Sequence, residues 1–441
     1  MLYARGMSLL NGEDEVTIHV AAEALDVSVD TIRRWAKKGL IKSRRSEQNH
    51  RLFRLSEIQR VQNKTGSSQD EAEFKVLKSK KTKHSVIELF SGCGGMALGF
   101  ENSGLKTKLV SEIDKNACAT LKANRPKWDV WEGDIFAYNK EGAFDKFKDK
   151  VDVVAGGFPC QAFSYAGNRR GFGEARGTLF FEFLEVVKSV RPKIAIGENV
   201  KGLLRHDEGR TLKTMTNLLE AAGYRTVYKV VRSQFLDVPQ KRERIFIMGI
   251  RKDLEMPHLF PQEKDYTVNL RQAFKDIPES VGQQYPEKKA AVMKLIPAGG
   301  YWKDLPIELQ QEYMGASFYH TGGRTGMARR LSYDEPSLTL TCSPAQKQTE
   351  RAHPEENRPL NVREYARIQS FPDEWDFSGA VGQQYKQIGN AVPVNLAYHM
   401  GKCIAAMLDG NTPDFTEIIP YIDPKEVEEA ETEAQLKLKL K

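Results

Sequence analysis

Short apolar runs rich in β-branched residues alternate with helical stretches through the middle of the chain. The runs lie at residues 86–90, 109–113, 151–157, 193–200, 227–231 and 245–250. Strands that are buried on both faces of a sheet carry this nearly continuous apolar pattern. Helical stretches at 178–190 and 211–223 lie between the runs, as crossover connections require. The pattern therefore predicts a doubly wound α/β sheet.

The length and composition of the chain agree with a protein of two or three domains. Its 441 residues are 40% hydrophobic and 28% charged, which is enough to build a substantial core. The sequence has no run of 18 apolar residues and no apolar signal-peptide core at its start, so we expect a cytoplasmic chain with no membrane contact. The cysteines are odd in number and widely spaced, at Cys93, Cys118, Cys160, Cys342 and Cys403. This spacing favours neither a disulfide framework nor a zinc site, and we expect no metal.

Basic residues are concentrated near the N-terminus. Residues 31–64 contain eleven Lys and Arg residues but only two acidic ones. Residues 14–62 predict two short helices joined by a tight turn, followed by an extended stretch that begins at Arg51. Ser28 can cap the second helix, which directs Arg33 and Arg34 outward.

The N-terminal module, residues 1–62, resembles the winged helix-turn-helix of MerR-type and excisionase-type DNA-binding proteins. A generic three-helix protein-interaction module is the alternative. The basic second helix favours DNA, because a cationic face gains from counterion release. We expect Arg33 and Arg34 to contact DNA, and residues 1–75 to bind DNA independently, with the promoter of the chain's own gene as the candidate target.

The remaining domain boundaries follow from shifts in composition. Residues 63–84 are polar and charge-mixed, which is typical of a linker. The alternating strand and helix pattern covers 85–257 and returns at 358–410, whereas 258–357 is rich in Gly, Pro and Gln. We therefore expect 258–357 to be a small inserted domain and 411–441 to be a C-terminal tail.

A glycine-rich turn follows the first strand, in 90-FSGCGGMALGF-100. Gly92 and Gly94 have the spacing of a dinucleotide-binding turn, and Glu112 comes twenty residues after Gly92 at the end of the next strand. Such a turn lets the backbone approach a nucleotide-like ligand while the acid accepts from ribose hydroxyls. Asp134 follows one element later, where it could accept from an adenine amino group. Nicotinamide and S-adenosylmethionine enzymes both use this geometry, and a plain tight turn is the simpler alternative.

Cys160 and Glu198 come at the carboxyl ends of two successive predicted strands. That edge is where open α/β sheets bind their ligands. A thiol and a carboxylic acid that face one crevice can act as nucleophile and proton donor. From the residues alone, a structural role for either side chain stays open.

Separated motifs occur in a fixed order over residues 85–408: F-x-G-x-G-G, P-C-Q, E-N-V, Q-x-R-x-R, 358-RPLNVREYARIQSFPD-373 and 384-QYKQIGNAVP-393. In this order and spacing they resemble the cytosine-C5 DNA methyltransferase family of the prokaryotic restriction-modification type. The resemblance implies a Rossmann-like S-adenosylmethionine-dependent methyltransferase sheet and makes 258–357 the target-recognition domain.

The resemblance also implies roles for individual residues. Cys160 would add to C6 of a target cytosine, Glu198 would hold a proton at N3, and Arg244 would contact O2. C5 would then take the methyl group of S-adenosyl-L-methionine before the thiol leaves. The residues expected to line the cofactor pocket are Phe90, Gly92, Gly94, Glu112, Asp134, Pro159 and Asn390.

An in-duplex cytosine does not offer its C6 face to a thiol, so the base must flip out of double-stranded DNA. Residues 160–177 are expected to form the mobile loop that closes over it, with Arg176 on a phosphate. In the inserted domain, Thr339 and Leu340 resemble the Thr-Leu pair of the family. The other expected or candidate DNA contacts in the catalytic and inserted domains are Arg242, Arg324, Arg329 and Arg330.

Two other readings compete with a DNA methyltransferase. A nicotinamide-dependent oxidoreductase would explain the glycine turn and Glu112 but not P-C-Q, E-N-V or the basic N-terminus. A non-catalytic DNA-binding regulator would have no need to keep Cys160, Glu198 and Arg244. We expect a monomer, since each event delivers one methyl group to one base, and a companion restriction endonuclease acting on the same site is the expected partner.

Overall fold

The computed structural model of the chain describes residues 15–25, 29–37, 41–46, 51–54, 73–158, 179–319 and 324–423. By its contacts the chain divides into two units. The first unit holds Met1–Phe74 together with Lys264–Val268, and the second holds Lys75–Glu263 and Asn269–Lys441.

The first unit is built on a small three-stranded sheet. Its elements are β1 (Glu15–Thr17), α1 (Ile18–Ala24), α2 (Val29–Lys37), β2 (Arg44–Arg45) and β3 (Arg51–Arg54). Strand β3 pairs antiparallel with both β1 and β2. Ile32 and Trp35 of α2 are buried with Ala21 and Phe53, while Arg33 is exposed. The predicted pair of helices with an extended stretch at Arg51 is confirmed; Ser28 and the Arg34 side chain lie outside the described residues.

A seven-stranded sheet forms the centre of the second unit, in the order β6-β5-β4-β7-β8-β11-β9. Its strands are β4 (Ser85–Leu89), β5 (Lys106–Glu112), β6 (Val130–Glu132), β7 (Val153–Gly156), β8 (Ile194–Val200), β9 (Tyr224–Arg232) and β11 (Glu243–Arg251). The strands pair in parallel except β11, which is antiparallel to both of its neighbours. The predicted doubly wound α/β sheet is confirmed. Strand β6 was not predicted because its three residues include Trp131 and Glu132 and form no apolar run.

Helices cover both faces of this sheet. They are α3 (Gly95–Ser103), α4 (Lys115–Asn124), α5 (Ile135–Lys140), α6 (Leu179–Val190), α7 (Arg210–Ala221) and, from the end of the chain, α13 (Val394–Leu408). One core contains Phe100 of α3 and Met400 of α13, with Val153 from the sheet. The other core contains Phe183 of α6 and Met215 of α7.

The expected inserted domain has short helices and a core of its own. Its helices are α8 (Leu270–Ala273), α9 (Glu287–Met293) and α10 (Ile307–Met314), and its core includes Met293, Trp302 and Met314. Helices α11 (Val362–Ile368) and α12 (Val381–Asn390) follow it. A two-residue parallel ladder joins β10 (Gln240–Lys241) to β13 (Ser337–Leu338) of the inserted segment.

Two contacts differ from the boundaries that composition predicts. Strand β12 (His258–Pro261), at the start of the expected insertion, pairs antiparallel with β14 (Thr416–Ile419), within the expected tail. Residues 75–84, within the expected linker, belong to the second unit, where the Leu77 backbone N–H donates to Asn395 Oδ1 at 3.0 Å. Composition misses such segments because hydrogen bonds to distant residues order them. Among the described residues, no helix has the length and apolarity that a membrane crossing needs.

Candidate active site

The carboxyl ends of four neighbouring strands meet where the strand order reverses. Strand β4 lies between β5 and β7, and the chain departs from it in both directions. Leu89 pairs with Ser111 and Gly156, and Gly156 pairs with Gly197. This register brings the glycine turn, Glu112, the approach to Cys160, and Glu198 to one edge. Ligands of open α/β sheets bind at such a switch point.

The glycine turn has the backbone conformation that its sequence predicts. Phe90, Gly92 and Gly94 have φ values of 57°, 53° and 89°. Among the described residues, no atom lies within 4 Å of a Cβ atom placed on Gly92, so that part of the structure leaves open space beside this backbone. A Cβ atom on Gly95 would lie 2.2 Å from the Val392 carbonyl oxygen. The turn is thus open on the Gly92 side and tightly packed where α3 begins.

The Glu112 side chain is hydrogen-bonded to the glycine turn. Its Oε2 atom accepts from the Gly92 N–H at 2.7 Å, and its Oε1 atom accepts from the N–H groups of Ile113 and Asp114 at 2.8 and 2.9 Å. A carboxylate offers about four lone-pair positions, so one remains for a ligand hydroxyl. Asp134 is exposed and caps α5 by accepting from the Phe136 N–H at 3.0 Å.

Ile113 and Phe136 are apolar side chains that our sequence analysis missed. They are 65% and 59% exposed, immediately after Glu112 and two residues after Asp134. Large apolar groups exposed beside two acids can cover the ring of a ligand. A large apolar residue within two positions of each acid was the available signal.

Glu88 is a further acid near this edge, and our sequence analysis missed it. It is buried in β4, and its Oε2 atom has no hydrogen-bond partner among the described residues. Burial raises the pKa of Glu88 well above its usual value, and the nearby carboxyls of Glu112 and Glu198 raise it further. An acid inside the otherwise apolar run 86-VIELF-90 was the available signal.

Pro159 and Cys160 lie outside the described residues, as does the expected closing loop with Arg176. The chain that leads to them is fixed beside Glu198. A Cβ atom on Gly157 would lie 3.1 Å from Glu198 Oε2, and Asn199 Nδ2 donates to the Phe158 carbonyl at 2.9 Å. The Phe158 ring packs on those of Phe180 and Phe183.

Glu198 and Arg244 form a buried ion pair. Arg244 Nε lies 3.0 Å from Glu198 Oε1, and their side chains are 12% and 10% exposed. Burial raises the pKa of Glu198, although the positive charges of Arg244 and Arg242 oppose the rise. Burial lowers the pKa of Arg244, opposed by Glu198. The pair provides a carboxyl that can hold a proton next to a donor of fixed orientation.

The side chains of Arg242, Leu340 and Arg330 are not available to DNA in this structure. Arg242 is 2% exposed and donates to the carbonyls of Leu340, Gly389 and Ala391, while the Leu340 side chain is itself buried. Arg330 is buried and donates to four backbone carbonyls. The predicted DNA contacts at these side chains are therefore corrected, since all three are buried within the protein.

Three other predicted residues are bonded to neighbouring parts of the protein. Thr339 is half-buried and its hydroxyl donates to the Lys241 carbonyl at 2.7 Å. Asn390 ends α12, is exposed, and accepts from the Cys342 thiol at 3.2 Å through its Oδ1 atom. Arg329 is paired with Glu335 at 3.5 Å. Across the described ranges, no three His, Cys, Asp or Glu side chains are grouped as a metal site requires.

Comparison with known proteins identifies two families along the chain. Residues 84–406 match the family described as C-5 cytosine-specific DNA methylase, and residues 17–53 match the MerR family regulatory protein. Type II methyltransferase M.Eco47II of Escherichia coli is 50% identical over 414 residues, which cover 90% of this chain and 97% of that protein. Type II methyltransferase M.PspPI of Psychrobacter sp. (strain TA137) is 54% identical over 344 residues, 76% of this chain and 82% of that protein.

A solved structure shares the fold. The methyltransferase EhMeth of Entamoeba histolytica matches with a TM-score of 0.54 at 15% identity, covering 74% of this chain and 99% of that one. The nicotinamide-dependent oxidoreductase alternative finds no support in these matches. With its family match over most of its length, the chain belongs to the C-5 cytosine-specific DNA methylase family and is a DNA cytosine-5-methyltransferase.

Proposed function

We propose that the chain transfers a methyl group from S-adenosyl-L-methionine to C5 of a flipped-out cytosine in duplex DNA, through a covalent bond between Cys160 and C6. The observation that carries the proposal is the Glu198–Arg244 pair beside the chain segment that leads to Cys160. An acid, a fixed cation and the Cys160 thiol would then be held at one edge of the sheet.

The cytosine ring is a poor electrophile, so the addition of a thiolate needs help at the ring. Cys160 would add to C6 and break the C5–C6 double bond. Glu198, protonated, would hold a proton at N3 and offset the negative charge that develops there. The raised pKa of Glu198 supports this role, because the acid then keeps its proton closer to neutral pH.

Arg244 would orient the same ring by donating to O2. Its Nε atom is bound to Glu198, and its Nη1 atom donates to the Glu243 carbonyl at 2.8 Å. The guanidinium is therefore held in one orientation, with further N–H groups left for O2. After methylation, loss of the C5 proton to solvent and cleavage of the carbon–sulfur bond would restore the C5–C6 double bond.

The residues at the sheet edge fit S-adenosyl-L-methionine. This cofactor supplies a methyl group made electrophilic by a positively charged sulfur. The Oε2 atom of Glu88, which has no hydrogen-bond partner in the part of the chain that the structure describes, would accept from a cationic group. The open space beside Gly92 would admit a ligand against the backbone. Glu112 would accept from a ribose hydroxyl and Asp134 from the adenine amino group, and Ile113 would cover the ring. The other pocket residues would be Phe90, Gly94, Pro159 and Asn390.

We further propose a restriction-modification role, supported by the Type II methyltransferases among the relatives. The methyl groups would protect the cell's DNA from a companion endonuclease that cuts the same sequence. The segment 258–357 would recognise that sequence, with Thr339 near the base and the loop 160–177, with Arg176, over the DNA backbone. We expect a cytoplasmic monomer.

The N-terminal module would bind DNA through α2, with Arg33 and Arg34 on phosphates or bases. The MerR match and the exposure of Arg33 support this role. Repression of the chain's own promoter is the regulatory function that a separate DNA-binding module allows.

Trapping of the covalent bond tests the proposed mechanism. Duplex DNA in which 5-fluorocytosine replaces cytosine blocks the last step, since fluorine cannot leave C5 as a proton does. With S-adenosyl-L-methionine present, peptide mass spectrometry is expected to find DNA attached to Cys160, and Cys160→Ala to give no adduct. Methylation of ordinary DNA without any adduct, or an adduct at another residue, would contradict the covalent mechanism.

A further inference from the structure

A buried polar joint connects the Thr339–Cys342 segment to the turn that carries Asn390. It is made by the side chains of Gln240, Arg242 and Gln369, which are 0%, 2% and 0% exposed. Burying three such side chains is unfavourable unless their polar atoms are bonded, so their hydrogen bonds show what they hold in place.

Arg242 bridges the two segments directly. Its Nη1 atom donates to the Leu340 carbonyl at 3.2 Å, and its Nη2 atom donates to the carbonyls of Gly389 and Ala391, both at 3.1 Å. The two carbonyl groups on either side of Asn390 are thus held by one guanidinium. Burial lowers the pKa of Arg242 well below its usual value, and the negative charge of Glu198 opposes this shift.

The two glutamines form a second bridge beside the first. Gln240 Oε1 accepts from the Leu340 N–H at 3.0 Å, and Gln240 Nε2 donates to Gln369 Oε1 at 2.8 Å. Gln369 Nε2 in turn donates to the carbonyls of Ile388 and Ala391 at 2.7 and 3.1 Å. Both backbone groups of Leu340 are therefore tied to the Asn390 turn.

The Thr339–Cys342 segment and the Asn390 turn also contact each other directly. A Cβ atom on Gly389 would lie 2.1 Å from the Thr341 carbonyl oxygen, so only glycine allows this approach. The Cys342 thiol donates to Asn390 Oδ1 at 3.2 Å. A displacement of residues 339–342 would therefore move Asn390.

We propose that Arg242 is a positioning residue that couples target recognition to cofactor binding. The inference rests on the proposed function, in which Thr339 lies near the target base and Asn390 lines the cofactor pocket. Specific DNA that orders the Thr339–Cys342 segment would, through Arg242 and the two glutamines, order the Asn390 turn. Coupling of this kind is reciprocal, so the cofactor would tighten specific DNA binding by the same factor.

The test compares the affinity for S-adenosylhomocysteine, by titration calorimetry, on two DNA duplexes. One carries the sequence that the enzyme methylates, identified by bisulfite sequencing, and the other has the same composition without it. The wild-type chain is expected to bind S-adenosylhomocysteine at least about fivefold more tightly with the specific duplex, the lower end of usual coupling. Arg242→Lys cannot span the three carbonyls and is expected to bring this ratio to within about twofold of one.

Arg225→Lys is the matched control. Arg225 also donates to backbone carbonyls, those of Leu254 and Met256, and its buried Nε atom, like that of Arg242, has no partner among the described residues. Arg225 lies at the opposite end of the sheet from the joint, where the start of β9 pairs with the end of β11. This variant is expected to keep the wild-type ratio, which separates coupling from a general loss of stability.

A second variant covers the case in which Arg242→Lys does not fold. Cys342 is exposed, so Cys342→Ala removes its bond to Asn390 without opening the core, and the ratio is expected to fall while the fold is kept. A wild-type ratio of one, or a wild-type ratio in the folded Arg242→Lys or Cys342→Ala protein, would overturn the inference alone. Failure of the wild-type chain to methylate DNA or bind S-adenosylhomocysteine would overturn the proposed function as well.

Discussion

Arg244 Nε lies 3.0 Å from Glu198 Oε1 at the edge of the sheet, so the acid proposed to protonate cytosine is held by the cation proposed to orient it. The two residues come from antiparallel strands, in which Glu198 pairs with Phe246 and Arg244 with Val200. Because side chains two residues apart share one face of a strand, Glu198 and Arg244 lie on the same face of the sheet.

The first prediction concerns the pH dependence of methylation. Glu198 must carry a proton to serve N3, so the rate falls as pH rises through its pKa. Arg244→Met removes the nearest positive charge that opposes the raised pKa of Glu198, so the alkaline limb is expected to move to higher pH. Arg244→Lys keeps the positive charge, so its alkaline limb is expected to stay at the wild-type pH. Both variants are expected to have a lower kcat. Single-turnover rates against pH measure this; an equal shift of the limb in both variants would exclude the electrostatic explanation.

Glu88→Gln separates the stability effect of this acid from its role in binding. The folded-state pKa of Glu88 is raised above 4.5, so its contribution to stability is fully present below about pH 4.5 and is lost as pH rises through the raised value. Glutamine does not ionise, and thermal unfolding of the variant is therefore expected to depend less on pH. Affinity for S-adenosylhomocysteine is expected to fall about tenfold, since a charge-assisted acceptor is replaced. A variant with unchanged affinity would show that Oε2 does not face the cofactor.

Gly92→Ala tests whether the open space beside the turn belongs to the cofactor. The new methyl group meets no atom of the described residues, so the expected cost is the left-handed backbone at φ 53°, about 1–2 kcal/mol of unfolding free energy. We expect the variant to fold and its S-adenosylhomocysteine affinity to fall more than about tenfold, because the methyl group occupies the ligand's position. Gly382→Ala, where a methyl group also meets open space, is the control. Similar calorimetric affinities for the two variants would place the cofactor elsewhere.

Arg33→Ala addresses the N-terminal module in the full chain. Loss of one phosphate contact is expected to weaken binding to DNA from upstream of the gene and to reduce the slope of log K against log salt by about 0.9. Methylation of short duplexes is expected to stay at the wild-type rate. Gel shifts across a salt series measure the slope; an unchanged slope would mean that Arg33 contacts no phosphate.

The sequence was most informative where a reactive or polar residue stands at the end of a predicted strand. Glu198 could be placed at the ligand edge because it stands at the carboxyl end of an apolar run. Gly92 and Glu112 could be placed by the same reasoning, and a hydrogen bond joins them. Arg244 and Phe90 were assigned through the resemblance alone, and the structure brings Arg244 into contact with Glu198.

Long-range packing was not readable in the same way. Arg242 and Arg244 look alike in Q-x-R-x-R, yet one donates to Leu340 and Gly389, far along the chain, and the other pairs with Glu198. The residues next to Arg242 and Arg244 in the sequence do not show that the two side chains have different partners. Glu88 was missed because it is a single acid in a strand, and β14 was missed because its partner β12 lies in a segment with no periodic pattern.

The central claim is methyl transfer to cytosine through Cys160. The most direct measurement is nucleoside mass spectrometry of mixed-sequence DNA incubated with S-adenosyl-L-methionine and either the wild-type chain or Cys160→Ala. We predict 5-methylcytosine with the wild-type chain and none with the variant. No 5-methylcytosine from the wild-type chain on DNA containing all short sites, or equal amounts from both proteins, would contradict the account.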